Sequence, residues 1–171
     1  MSHPLIVYYG PGKGKSTSAF GIALRTLGRG KKVLLVQFIK KPNTSGEQNI
    51  VQKIGMDYYC AGKGFVFSDI STEQKKPHKQ AAQDGLDYAK QYLIQQSPGL
   101  IVLDEFLHVL DLFPDLGDQA YQLLSAAAET CPTIITGANL PDPIREIADY
   151  IYYLEEQKVP EDRGCIEGFH Y

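Results

Sequence analysis

The 171-residue chain is poor in cysteine, and it contains no long apolar run. Cys60, Cys131 and Cys165 are odd in number and far apart. This spacing excludes a disulfide framework and a C-x-x-C metal site, and predicts free thiols in a cytoplasmic protein. No apolar stretch approaches the roughly 18 residues of a membrane-spanning helix, so no membrane association is expected. The opening Met-Ser-His-Pro lacks the charged start and apolar core of a signal peptide. An excess of basic residues is also missing. The net charge of -3 argues against an extended nucleic-acid surface, and the runs Arg29-Gly30-Lys31-Lys32 and Lys75-Lys76 read as solvated element ends. The four histidines show no ligand spacing, which argues against a histidine-built metal site. There is no repeat, low-complexity tract or linker, and the hydrophobic fraction of 43% carries no disorder signature. One domain over residues 1–171, large enough for a real core, is expected.

What is present is a phosphate cradle. Residues 10 to 17 read Gly10-Pro11-Gly12-Lys13-Gly14-Lys15-Ser16-Thr17, directly after the apolar run Leu5-Ile6-Val7-Tyr8-Tyr9. A buried strand enters a glycine-rich turn, and a helix begins at Lys15. Glycines let successive N–H groups converge on one anion, and the helix N-terminus adds partial positive charge. Lys15 can reach terminal phosphates and Ser16 can hold magnesium. Tyr9 stands where the strict pattern has its first glycine.

Apolar strands alternate with helical periodicity along the chain. The pattern predicts a helix over 15–28 with Ala19, Phe20, Ala23, Leu24 and Leu27 inward, then a nearly all-apolar strand from Val33 to Phe38. A short helix from Glu47 to Ile54, a strand from Met56 to Cys60 and a long helix over 72–96 follow, the last broken or kinked at Pro77. Leu100 to Glu105 is a strand, Asp118 to Thr130 a helix, Thr133 to Thr136 a strand, Pro141 to Ala148 a short helix and Tyr150 to Leu154 a last strand. This order predicts an α/β fold: a mainly parallel sheet with helices on both faces. In such sheets ligands sit at the carboxyl ends of strands, where the cradle, Asp104-Glu105 and Thr136-Gly137 all fall.

Asp104 and Glu105 close a four-residue apolar run, as the second half of a nucleotide site does. Either acid can bind magnesium opposite Ser16, and Glu105 could instead orient a water. The segment Gly64-Phe65-Val66-Phe67 puts two phenylalanines on a glycine-flanked loop. Spacing alone favours their folding back into the core over their meeting a ligand.

Together these motifs resemble the ATP:corrinoid adenosyltransferases of the CobA/CobO/BtuR type. The resemblance spans nearly the whole chain. It rests on the 10–17 loop with Tyr9, Arg25, Val36-Gln37-Phe38-Ile39-Lys40, Gly46-Glu47, Gly64-Phe65-Val66-Phe67, Leu103-Asp104-Glu105, Thr136-Gly137 and Ala148-Asp149. It implies a P-loop NTPase-like (RecA-like) fold, commonly homodimeric, that transfers the 5′-deoxyadenosyl group of ATP to the Co(I) of a reduced corrinoid and releases triphosphate. It implies that the loop residues and Arg25 contact ATP, with Lys15, Ser16 and Glu105 serving catalysis. Ser16, Glu105 and Asp104 would hold Mg2+ or Mn2+. Phe65 and Phe67 would pack beneath the corrin ring and displace its lower ligand, and a flavoprotein would supply electrons. The chain departs from the family pattern at Ser16 (threonine), Phe67 (commonly tryptophan), Ala138 (arginine) and Val159 (histidine). Asn139 or Arg145 could compensate at Ala138. Two other readings stay open on residues alone: a P-loop ATPase or phosphotransferase, and a nucleotide- or corrinoid-binding regulator without turnover.

Overall fold

The computed structural model describes residues 2–64, 71–160 and 166. Six strands form one sheet: β1 (Leu5–Tyr9), β2 (Val33–Phe38), β3 (Asp57–Ala61), β4 (Leu100–Asp104), β5 (Thr133–Gly137) and β6 (Tyr150–Tyr153). Their order is β3-β2-β4-β5-β1-β6. Every pairing is parallel, so all carboxyl ends share one edge. Among the described residues five α-helices connect them: α1 (Lys15–Leu27), α2 (Thr72–Gln96), α3 (Phe106–Leu112), α4 (Gly117–Ala128) and α5 (Asp142–Ile147).

The period-2 alternation of β2 divides the core between two faces. Val33 and Leu35 pack with Ala19 and Ala23 of α1, whereas Leu34, Val36 and Phe38 pack with Leu86 of α2 and Leu123 of α4. Both faces are therefore covered, and all six residues of β2 are buried. This is the expected doubly covered parallel sheet.

Several local expectations change. Leu24 is 42% exposed, because it lies about 100° around α1 from Ala23, off the buried stripe. Residues 47–54 form no α-helix. A 3₁₀ turn covers Gly46–Asn49, since Val51 is the segment's one fully buried apolar anchor. Pro77 does not break α2, which runs unbroken from Thr72 to Gln96. The carbonyl that Pro77 leaves without a donor belongs to Glu73, which is exposed and has water to serve it. A capping box anchors this helix: Ser71 Oγ accepts from Gln74 N at 3.3 Å, and Gln74 Oε1 accepts from Ser71 N at 3.0 Å. The helix α3 was not expected. Its sequence, FLHVLDL, is apolar on nearly all sides and lacks amphipathic periodicity.

Candidate active site

The 10–14 loop takes its shape from its glycines. Gly10 (φ 116°) and Gly14 (φ 97°) occupy conformations that strain other residues. Gly12 N donates to Leu154 O at 2.9 Å, so the loop lies directly against the exit of β6. A Cβ at Gly12 would come within 2.8 Å of Glu155 Cα. On the other side, Gly10 N donates to Ala138 O at 3.0 Å. Backbone at position 138 thus supports the loop whatever its side chain.

Gly14 is the N-cap of α1, and no side chain caps this helix end. Its first N–H groups are left for an anion. Lys15 Nζ folds back to donate to Gly10 O at 2.7 Å and Gly12 O at 2.6 Å. Pro11, Lys13 and Thr17 are exposed around it. Arg25 is exposed in the last turn of α1, about 15 Å of helix beyond Lys15 at the usual rise. The fold does not bring it to the loop.

Facing Ser16 is a polar cluster built from three strand ends. Asp104 is buried at the end of β4. Thr136 Oγ1 donates to Asp104 Oδ1 at 2.8 Å and accepts from Glu105 N at 2.8 Å. At the end of β2, Gln37 is 1% exposed and fully bonded. Its Nε2 donates to Asp104 Oδ2 (3.0 Å) and Glu47 Oε1 (2.9 Å), and its Oε1 accepts from Gln48 Nε2 (3.0 Å) and Tyr58 OH (3.0 Å). These bonds use both amide donors and both acceptor sites.

Between these groups lies the ammonium of Lys40. It is 2.8 Å from Asp104 Oδ2, 3.1 Å from Glu47 Oε1 and 3.4 Å from Ser16 Oγ. Burial alone would discharge Lys40, but the two carboxylates overcome it and raise the pKa above the ordinary lysine range. Burial would likewise protonate Asp104, but Lys40, followed by hydrogen bonds from Ser16 and Thr136, holds it below the usual carboxylate range. Hydroxyl and carboxylate oxygens converging on one cationic nitrogen are a hard donor set of the kind magnesium takes. Among the described residues no cluster of three or more His, Cys, Asp or Glu side chains could hold a metal. Phosphate and water would have to complete the coordination.

Glu105 is placed differently. It takes a left-handed conformation (φ 61°) as N-cap of α3, and its Oε2 lies 2.6 Å from His108 Nδ1. That carboxylate pushes the His108 pKa up against the effect of burial. Asn139 Nδ2 donates to Asp111 Oδ2 at 3.0 Å, and the Arg145 guanidinium lies 5.6 Å over the Tyr9 ring.

Of the expected site residues, the fold gathers the loop, Lys15, Ser16 and Asp104 at one edge. Phe65 and Phe67 lie outside the described residues. The segment leading to them is held at the same edge, with Gly64 N donating to Ile39 O at 2.7 Å. Asp149 serves the opposite edge, where its Oδ2 accepts from Leu5 N at 2.8 Å. Reasoning from spacing assigned no role to Gln37, Lys40, Glu47 or His108. A single amide in the otherwise apolar strand VLLVQF was the available signal.

Residues 2–169 match the model of the family described as ATP:corrinoid adenosyltransferase BtuR/CobO/CobP. The chain is 33% identical over 162 residues to a corrinoid adenosyltransferase of Escherichia coli K12, covering 94% of this chain and 80% of that one. It is 32% identical over 162 residues to corrinoid adenosyltransferase CobA of Salmonella typhimurium, with the same coverage. A corrinoid adenosyltransferase of Sinorhizobium is 28% identical over 164 residues, covering 94% and 75% of the two chains.

Proposed function

Because the chain belongs to the ATP:corrinoid adenosyltransferase family, we propose that it transfers the 5′-deoxyadenosyl group of ATP to the Co(I) centre of a reduced corrinoid such as cob(I)alamin. The observation that carries this reading is the uncapped start of α1, with Lys15 and Ser16 facing the Asp104 edge. The Co(I) electron pair attacks C5′, the Co–C bond forms, and the C5′–O bond breaks with its electrons leaving on triphosphate. Cobalt is itself the nucleophile, so the site needs no protein nucleophile and no general base.

The chain's own task is then to hold C5′ in line and stabilise charge on the departing triphosphate. The N–H groups of residues 13–17, at the start of α1, bind the phosphates, while Pro11 and the glycines Gly10 and Gly12, whose N–H groups are held by Ala138 and Leu154, shape the loop around them. Lys15 exchanges the carbonyls of Gly10 and Gly12 for phosphate oxygens, and Lys13 stands beside it. Ser16, Asp104 and Glu47 would hold Mg2+ or Mn2+ together with phosphate and water oxygens, and Glu105, with one carboxylate oxygen beside His108, would reach the ion through water. Such an ion, when bound, would neutralise triphosphate charge. Phe65 and Phe67 would form an apolar wedge under the corrin ring, excluding water and a lower axial ligand from cobalt. A homodimer, with residues 1–171 acting as one domain and a flavoprotein as electron donor, completes the proposal. Mixing the protein anaerobically with chemically reduced corrinoid, ATP and magnesium tests it. Loss of the Co(I) absorbance and a light-sensitive product are expected. Persistence of Co(I), with ATP demonstrably bound, would overturn it.

A further inference from the structure

Lys40 is a residue for which the proposed chemistry has no use, yet it fills the centre of the site. Its side chain is only 14% exposed, and its nitrogen is in contact with Asp104 Oδ2, Glu47 Oε1 and Ser16 Oγ. A divalent ion bound through those oxygens at about 2.1 Å would need the same space. The two cations therefore exclude each other.

The charges explain why a cation stays there. Asp104 and Glu47 are brought to one point by the Gln37 amide. Two carboxylates converging in a buried setting repel one another unless a cation lies between them. Lys40 supplies one positive charge. A divalent ion would supply two, but an incoming bare ion must displace an ammonium that is already paired. An ion arriving on ATP brings phosphate oxygens as well, and it gives the displaced ammonium an anion to meet. The flexible four-carbon stem of lysine allows that movement, and the Ser16 contact places the ammonium beside the phosphate-binding end of α1.

We propose that Lys40 is the resident counter-cation of the metal position, holding it while nucleotide is absent and yielding it only to a metal ion delivered with ATP. This rests on the reading of the loop as a site for ATP and a divalent ion. The residue thereby enforces joint loading of metal and nucleotide and keeps the free metal out.

The test uses Mn2+ alone, without nucleotide, followed by the paramagnetic resonance signal of the free ion. The wild-type chain should bind Mn2+ weakly. Lys40→Met should bind one ion at least tenfold more tightly, and Mn2+ should raise its melting temperature. The double variant Lys40→Met/Glu47→Gln should lose that gain. A folded Lys40→Met that binds Mn2+ no better than wild type overturns the inference. If Lys40→Met does not fold in metal-free buffer, recovery of its circular dichroism in millimolar Mn2+ supports the inference, and no recovery overturns it. If wild type makes adenosylcorrinoid while Lys40→Met gains no Mn2+ affinity, this inference alone fails. A gained Mn2+ site in a chain that makes no adenosylcorrinoid removes the functional reading instead.

Discussion

Gln37 and Asp104 are register partners at the carboxyl ends of β2 and β4, and the Gln37 amide donates to the Asp104 carboxylate at 3.0 Å. The same amide nitrogen donates to Glu47, so one uncharged side chain sets where two acids meet. The position of the site is thus written into the strand register.

Gln37→Leu keeps the volume and removes all four hydrogen bonds. It should destabilise the fold by about 1–3 kcal/mol, the usual cost of leaving buried polar partners unsatisfied. Urea unfolding would read this as a lower midpoint at unchanged slope. An unchanged midpoint would mean that the amide does not hold the carboxylates.

Lys15→Ala removes a charge-assisted contact to the phosphates. ATP affinity should fall on the order of 10- to 100-fold, matching about 1.5–3 kcal/mol for a hydrogen bond to a charged group. Titration calorimetry measures it directly. Affinity within twofold of wild type would remove Lys15 from the cradle.

A Phe65→Ala/Phe67→Ala double variant should bind ATP as wild type does and accept chemically prepared Co(I) corrinoid. It should lose transfer when the corrinoid is supplied as Co(II) with a reductant, because the lower ligand is no longer displaced. Normal transfer from Co(II) would contradict the wedge.

Burial pushes the Cys131 thiol up to about 11. Folding therefore favours the protonated thiol. The stability this contributes is full below the ordinary thiol value near 8.5 and is lost as pH rises toward 11. Native Cys131 should resist alkylation at pH 8 and react at once in urea. Peptide mass mapping would show this, and rapid native labelling would contradict the burial.

Much of the fold was legible because its signals are local. The cradle follows an apolar strand, β2 is apolar apart from Gln37, and α2 spans its expected 72–96. The short helix α3 was illegible because its seven residues are apolar on most sides and are shaped by packing. Leu107, for example, lies 2.4 Å from where a Cβ on Gly137 would stand. At the site, the loop and Asp104 could be read from spacing. The meeting of Lys40, Glu47 and Ser16 could not. These residues leave different elements, and only the order β3-β2-β4-β5-β1-β6 brings them together. Pro77 misled because its local cost to the helix is outweighed by the Ser71–Gln74 capping box ahead of it and the buried stripe from Ala82 to Leu93 behind it.

Which bond of ATP breaks separates a transferase from a hydrolase, and phosphorus resonance of the reaction products reads it directly. With reduced corrinoid, magnesium and ATP, the account predicts intact triphosphate in equal amount to the adenosylcorrinoid formed. ADP with inorganic phosphate, and no carbon–cobalt product, would contradict it and make the chain an ATP hydrolase.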